Sequence, residues 1–139
     1  MPAINEDLWP ELNLAATVTP LSILREQAGL LGKKTKGVLR GEVETWGDGD
    51  RISHSFNIAV PSLGDYKYTL FSVHYLPTGY PVHVDMTAKP FFPGGAPIEE
   101  PSLRRSIADE DELRDWLRHI FHSDEVKRIV ENLYAQAST

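Results

Sequence analysis

Between Val38 and Met86 apolar side chains recur with a period of two, interrupted by three turn-forming clusters. That period marks strands with one buried face, because successive side chains point to opposite sides of a pleated chain. The interruptions are Gly47-Asp48-Gly49-Asp50, Pro61 to Asp65 and Pro77-Thr78-Gly79. Links this short join antiparallel neighbours, since a parallel crossover takes a dozen residues or more. The segment therefore predicts a four-stranded antiparallel meander: Val38–Trp46, Arg51–Val60, Tyr66–Tyr75 and Val82–Met86.

The alternation also predicts a register. Pairing Trp46 with Arg51 sets Val43 opposite His54, Gly41 opposite Phe56 and Leu39 opposite Ile58. Pairing Val60 with Tyr66 sets Ile58 opposite Tyr68, Phe56 opposite Leu70 and His54 opposite Ser72. Both hairpins place the same residues on one apolar face, which Val82, Val84 and Met86 complete. The other face then carries Arg40, Glu42, Glu44, Ser55, Asn57, Thr69, His83 and Asp85. Phe71, Val73 and Tyr75 fall on that side beside Ala59, more apolar surface than a solvated face requires. Such patches mark contacts. Phe71, Val73 and Tyr75, with Phe91 and Phe92 of the following loop, are accordingly the candidate interface residues.

Helices flank the strands. Thr19 suits an N-cap and Pro20 the first helical position, where a missing N–H costs nothing. Leu21, Leu24, Ala28 and Leu31 follow at helical spacing, with Lys33, Lys34 and Lys36 at the negative end of the dipole and Gly37 as terminator. Asp109 and Glu112 form an acidic capping box before the stripe Leu113, Trp116, Leu117, Ile120 and Phe121. Ser123 caps a second stripe of Val126, Ile129, Val130, Leu133 and Tyr134. Residues 1–18 read as an arm that Pro10 keeps from being helical, and 88–105 as a loop broken by four prolines and Gly94-Gly95. The expected fold is one α+β domain over 1–139, ordered α-β-β-β-β-α-α, with three helices packed on one face of the sheet.

Composition narrows the function. Fourteen Lys and Arg against twenty Asp and Glu give a net charge of −6 in 139 residues, which argues against nucleic acid and anionic membranes as partners. The chain contains no cysteine, which excludes disulfides, thiol catalysis and cysteine-held metals, and fits a reducing compartment. No apolar run approaches the ~20 residues of a membrane helix, and the start, Met1 to Asp7, has two acids and no base, unlike a signal peptide. These features describe a small acidic cytoplasmic protein of bacterial type.

The one polar constellation on the apolar face is His54, with Ser72 opposite and Thr45 and His74 nearby. Those four are the candidate ligand-binding residues, either as a small-molecule pocket or as a hydrolase-like His/Ser pair moving a proton. Ser72 lies inside a strand and no acid is placed to orient the imidazole, which weighs against catalysis. His83 and Asp85 share a strand face, and Asp115, His119 and His122 share a helix face, yet each set lacks the ligands a metal site needs. Asp48 and Asp50 begin like a calcium loop that has no Glu at its twelfth position. Phosphate loops, nucleophile elbows and kinase signatures are missing, so no cofactor is expected.

The favoured reading is a non-enzymatic protein-binding module, homodimeric through the outer sheet face or the arm. A ligand binder or hydrolase using the His54 corner is the alternative. The order of elements is similar to that of secretion chaperones and toxin-immunity proteins, which implies a chaperone-like or immunity-like role. Those chaperones place a helix between the third and fourth strands, and this chain does not.

Overall fold

The computed structural model describes residues 6–14, 18–86 and 104–139. Its architecture is α+β: helix α1 (Pro20–Lys34), strands β1 (Arg40–Asp48), β2 (Arg51–Val60), β3 (Tyr66–Leu76), β4 (Gly79–Met86) and β5 (Arg104–Ile107), then helices α2 (Glu110–Phe121) and α3 (Asp124–Ala137). The strands form one antiparallel sheet in the order β1-β2-β3-β4-β5. The meander thus has five strands where the alternation predicts four. Residues 104 and 105, assigned to the proline-rich loop, belong to β5, so β4 is an inner strand. Arg-Arg-Ser-Ile is too short and too charged to show a period of two. Phe91 and Phe92 lie outside the described residues, as does the loop as far as 103.

The caps work as the side chains suggest. Ser22 N–H donates to Thr19 Oγ1 at 3.1 Å, and Thr19 N–H donates to Ser22 Oγ at 3.0 Å, a reciprocal box that starts α1. Thr35 ends the helix and ties it to the sheet: its hydroxyl donates to the Leu31 carbonyl and accepts from Leu39 N–H at 3.1 Å. Asp109 accepts from Glu112 N–H at 2.8 Å, and Glu112 reaches back to Ala108 N–H at 2.9 Å. Ser123 opens α3.

All three helices cover one face. The core runs from Ile23, Leu24 and Ala28 of α1 through Phe56, Ile58, Leu70, Phe71, Val73, Val82 and Val84 to Leu113, Trp116 and Leu117 of α2, with Val126 and Leu133 of α3. An aromatic cluster joins sheet to helix: Phe71 stacks on Phe56 at 5.3 Å and meets Trp116 edge-on at 5.0 Å. Where α1 crosses β1, the backbones touch. A Cβ at Gly41 would lie 2.7 Å from the Cβ and carbonyl oxygen of Ala28. No described helix is long and apolar enough to cross a membrane.

The expected register needs two corrections. In the first hairpin the ladder continues to Asp48 opposite Arg51, leaving Gly49 and Asp50 as the whole loop. Gly49 has φ 64°, the positive value that a two-residue hairpin connection favours at its first position. The pairing is therefore two residues offset, Val43 facing Phe56 and Thr45 facing His54, and the faces are unchanged. The second correction changes the faces. Val60 pairs with Tyr66 and Ile58 with Tyr68 as expected, but Asn57 faces Thr69 while Phe56 faces Phe71. Leu70 is an extra residue in β3, a bulge. Leu70 and Phe71 are both buried in the core, and beyond them the alternation is inverted.

Phe71, Val73 and Tyr75 consequently face the helices as part of the core, and the outer apolar patch expected from them does not exist. Ser72 and His74 take the outer face instead. Phe71→Ala should cost about 3–5 kcal/mol in urea unfolding, as for a buried aromatic and unlike a surface residue. Gly41→Ala should cost about 1–3 kcal/mol, because helix and strand must separate to admit a methyl group.

Candidate functional site

The bulge divides the four candidate ligand-binding residues between two sides of the sheet. Thr45 and His54 remain on the helix-covered side, Ser72 and His74 do not, and His54 faces Val73 rather than Ser72. The single corner is in fact two separate polar arrangements.

On the core side His54 is 1% exposed and bonded through both ring nitrogens. Nδ1 lies 2.8 Å from Thr45 Oγ1, and Nε2 lies 2.5 Å from the Tyr75 hydroxyl. Burial pushes the Tyr75 phenol above its usual pKa, so it keeps its proton. Tyr75 O–H donating to Nε2, with Nδ1–H donating to Thr45, satisfies both buried donors in one neutral tautomer. Burial, then Arg25, then His74 hold the His54 pKa below its usual value. The imidazole is a satisfied core group, and its second partner, Tyr75, was hidden from the sequence by the inverted alternation.

On the outer side His74 Nδ1 is hydrogen-bonded to Ser53 Oγ at 2.7 Å, and His74 Nε2 lies 3.8 Å from Asp85 Oδ2. Serine, histidine and aspartate in a row invite comparison with a hydrolytic triad. The nucleophile fails the comparison, for Ser53 is 0% exposed within the inner strand β2. Ser72 stands between Ser55 and Asp85 in the ladder, with no imidazole as its partner there.

No described helix covers this outer side, yet Ser53, Ser55, Asn57 and Ala59 of β2 are buried. Taller neighbours lean across them. Lys67 of β3 reaches over β2 to Glu42 at 2.9 Å and Glu44 at 3.4 Å on β1. Trp46 of β1 meets His74 of β3 edge-on at 6.4 Å above Ser53. Beneath the lysine, Asn57 donates to Ser55 at 3.1 Å and accepts from Thr69 at 2.5 Å. Among the described residues, these side chains are what lies over β2 on this face.

Two concavities are lined in part by helices. One of about 210 Å³, between α1 and α2, is lined by Ile23, Gln27, Arg114, Leu117, Arg118 and Phe121, with His122 at its edge. Another of about 490 Å³ is lined by Leu63, Tyr66, Tyr68, Ile129 and Leu133, with Asn132 and Gln136. A third of about 240 Å³ lies at the β2–β3–β4 end of the sheet, lined by Asp50, Arg51, Tyr75, Thr78 and His83 among others. Among the described residues no three His, Asp or Glu side chains converge as a metal set.

Among the described residues, the N-terminal arm carries the most exposed large apolar side chains. Leu8 is 84% exposed, Trp9 76%, Leu12 56% and Leu14 85%. Trp9 N–H donates to Asp7 Oδ1 at 3.0 Å, a local contact just ahead of Pro10.

Compared with protein-family models, curated proteins and solved structures, the chain matches none, and its function has to be read from its own residues.

Because neutral His54 suits the folded state, the unfolded chain binds the extra proton. Stability should therefore hold above about pH 6.5, the ordinary imidazole value, and fall as pH drops through it toward the lower folded value. Urea melts from pH 8 to 5 should show this loss, and His54→Phe should flatten it.

Proposed function

We propose that the chain is a non-enzymatic protein-binding module of the cytoplasm and that residues 6–14 are its binding element. The observation that carries the reading is the exposure of Leu8, Trp9, Leu12 and Leu14 on a protein whose other large apolar side chains mostly pack inside. Four such side chains held in water are unfavourable by the hydrophobic effect, at about 1.5–3 kcal/mol each if fully buried elsewhere. Tryptophan and leucine on a short acidic segment suit recognition by another protein.

The sealed histidine supports the same reading. His54 has no access to a substrate, and the serine beside His74 is out of reach of one. Neither of the two helix-lined concavities gathers a nucleophile with a base: one is rimmed by arginines and the other by aromatic and aliphatic side chains.

The test uses the full-length protein as bait in extract of its own cells, beside a Trp9→Ala/Leu12→Ala variant. Both substitutions are at exposed positions and should change stability by no more than about 0.5 kcal/mol. A partner held by the native chain, lost with the variant and bound again as a purified protein is the expected result. Identical retention by both proteins would remove the arm from the binding surface. In parallel, a fluorophosphonate probe should leave Ser53 unmodified. Labelling that Ser53→Ala abolishes would restore the hydrolase reading.

A further inference from the structure

We propose that the arm of one chain docks in the α1–α2 groove of a second copy, with Trp9 as the inserted side chain and reciprocal exchange closing a two-fold dimer. This rests on the reading of residues 6–14 as a binding element and names its partner.

Charge and shape select this groove. Residues 1–18 contain Glu6, Asp7 and Glu11 and no Lys, Arg or His, so the arm is an acidic segment with apolar side chains at 8, 9, 12 and 14. The α1–α2 groove has the complementary make-up: an apolar floor of Ile23, Leu117 and Phe121 under Arg114, Arg118 and His122. In a chain of net charge −6, such a basic-rimmed apolar groove is a distinctive feature. Arg114 donates to Glu110 at 3.2 Å and Arg118 to Asp115 at 2.7 Å. Each guanidinium carries five N–H donors, so both retain donors for a carboxylate of the arm.

The groove's volume of about 210 Å³ is below the ~300 Å³ at which small-molecule pockets begin, a size for one large side chain rather than a metabolite. The larger concavity is the poorer host. It is uncharged, and the Tyr68 hydroxyl in it is held above its usual pKa by burial and then by nearby Glu125, a carboxylate the arm would meet unfavourably.

A second copy, rather than the chain's own groove, is the occupant because arm and groove are both open on the same chain: Leu8, Trp9 and Leu14 stay at least three-quarters exposed while the groove remains accessible. Exchange between two copies covers both pairs of surfaces at once and leaves neither arm free.

The chain has no cysteine, which permits a direct test. Glu11→Cys and Gln27→Cys variants of the full-length protein, carrying different mass tags, are mixed and oxidised. The expected product is the mixed disulfide, in excess of either like pair and reduced several-fold when Trp9→Ala is added to the Glu11→Cys chain. Light scattering on the native protein should give a dimer mass at micromolar concentration that shifts toward monomer with Trp9→Ala. A monomer mass at all concentrations would overturn the exchange. So would like pairs only, or an intrachain disulfide in the Glu11→Cys/Gln27→Cys double variant whose yield ignores dilution. If the native protein is monomeric while a cellular partner is still lost with Trp9→Ala/Leu12→Ala, the exchange alone fails. If that partner loss is absent too, the binding-module reading fails with it.

Discussion

One extra residue in β3 decides where half of the polar chemistry of this protein resides. At Leu70 the strand accommodates two consecutive core side chains, Leu70 and Phe71, against single-file pairing on β2. Phe71 can then fill the space between Phe56 and Trp116, and its contacts with Trp116 and Phe121 join that of Phe56 with Phe121 in holding α2 to the sheet. Every residue downstream inherits the inverted parity. Val73 and Tyr75 enter the core, Tyr75 reaches His54, and Ser72 and His74 leave for the outer face. A bulge is tolerated because its cost, one disrupted rung of the ladder, is smaller than that of exposing Phe71 and Val73.

The outer face shows a second economy of design. Strand β2 carries large side chains inward and small ones outward, so β1 and β3 can close over it without a helix. Lys67 with Glu42 and Glu44, and Trp46 with His74, span β2 from either side. Exposed ion pairs of this kind contribute little stability on their own. Their role here is steric: they lie over Ser53, Ser55, Asn57 and Ala59, whose buried polar side chains bond to one another, to Thr69 or to His74.

With both histidine arrangements committed to structure, the surface that stands out is the arm and the basic-rimmed groove between α1 and α2. The arm's apolar side chains have no described core to join, and the groove's charge is opposite to the arm's. Binding energy for a partner would come from the buried tryptophan and leucines, with the arginines setting orientation and selectivity.

The sequence by itself determined the three helices, four of the five strands and the identity of the inward face in the first half of the sheet. Thr19-Pro20, Asp109 and Ser123 marked the helix starts through local hydrogen bonding, and the alternation Ile52, His54, Phe56, Ile58, Val60 marked a half-buried strand. Such signals survive because capping and pleating are set within a few residues of the chain. The short β5 was not legible, since four residues show no period and its pairing with β4 comes from the partner strand alone. Nor was the bulge: Leu70-Phe71 reads equally well as an in-out pair, and only contact with Phe56, Trp116 and Phe121 makes two inward side chains the better arrangement. The tertiary structure therefore decided the company of each histidine, because a register depends on packing against α2, and α2 begins more than thirty residues further along the chain.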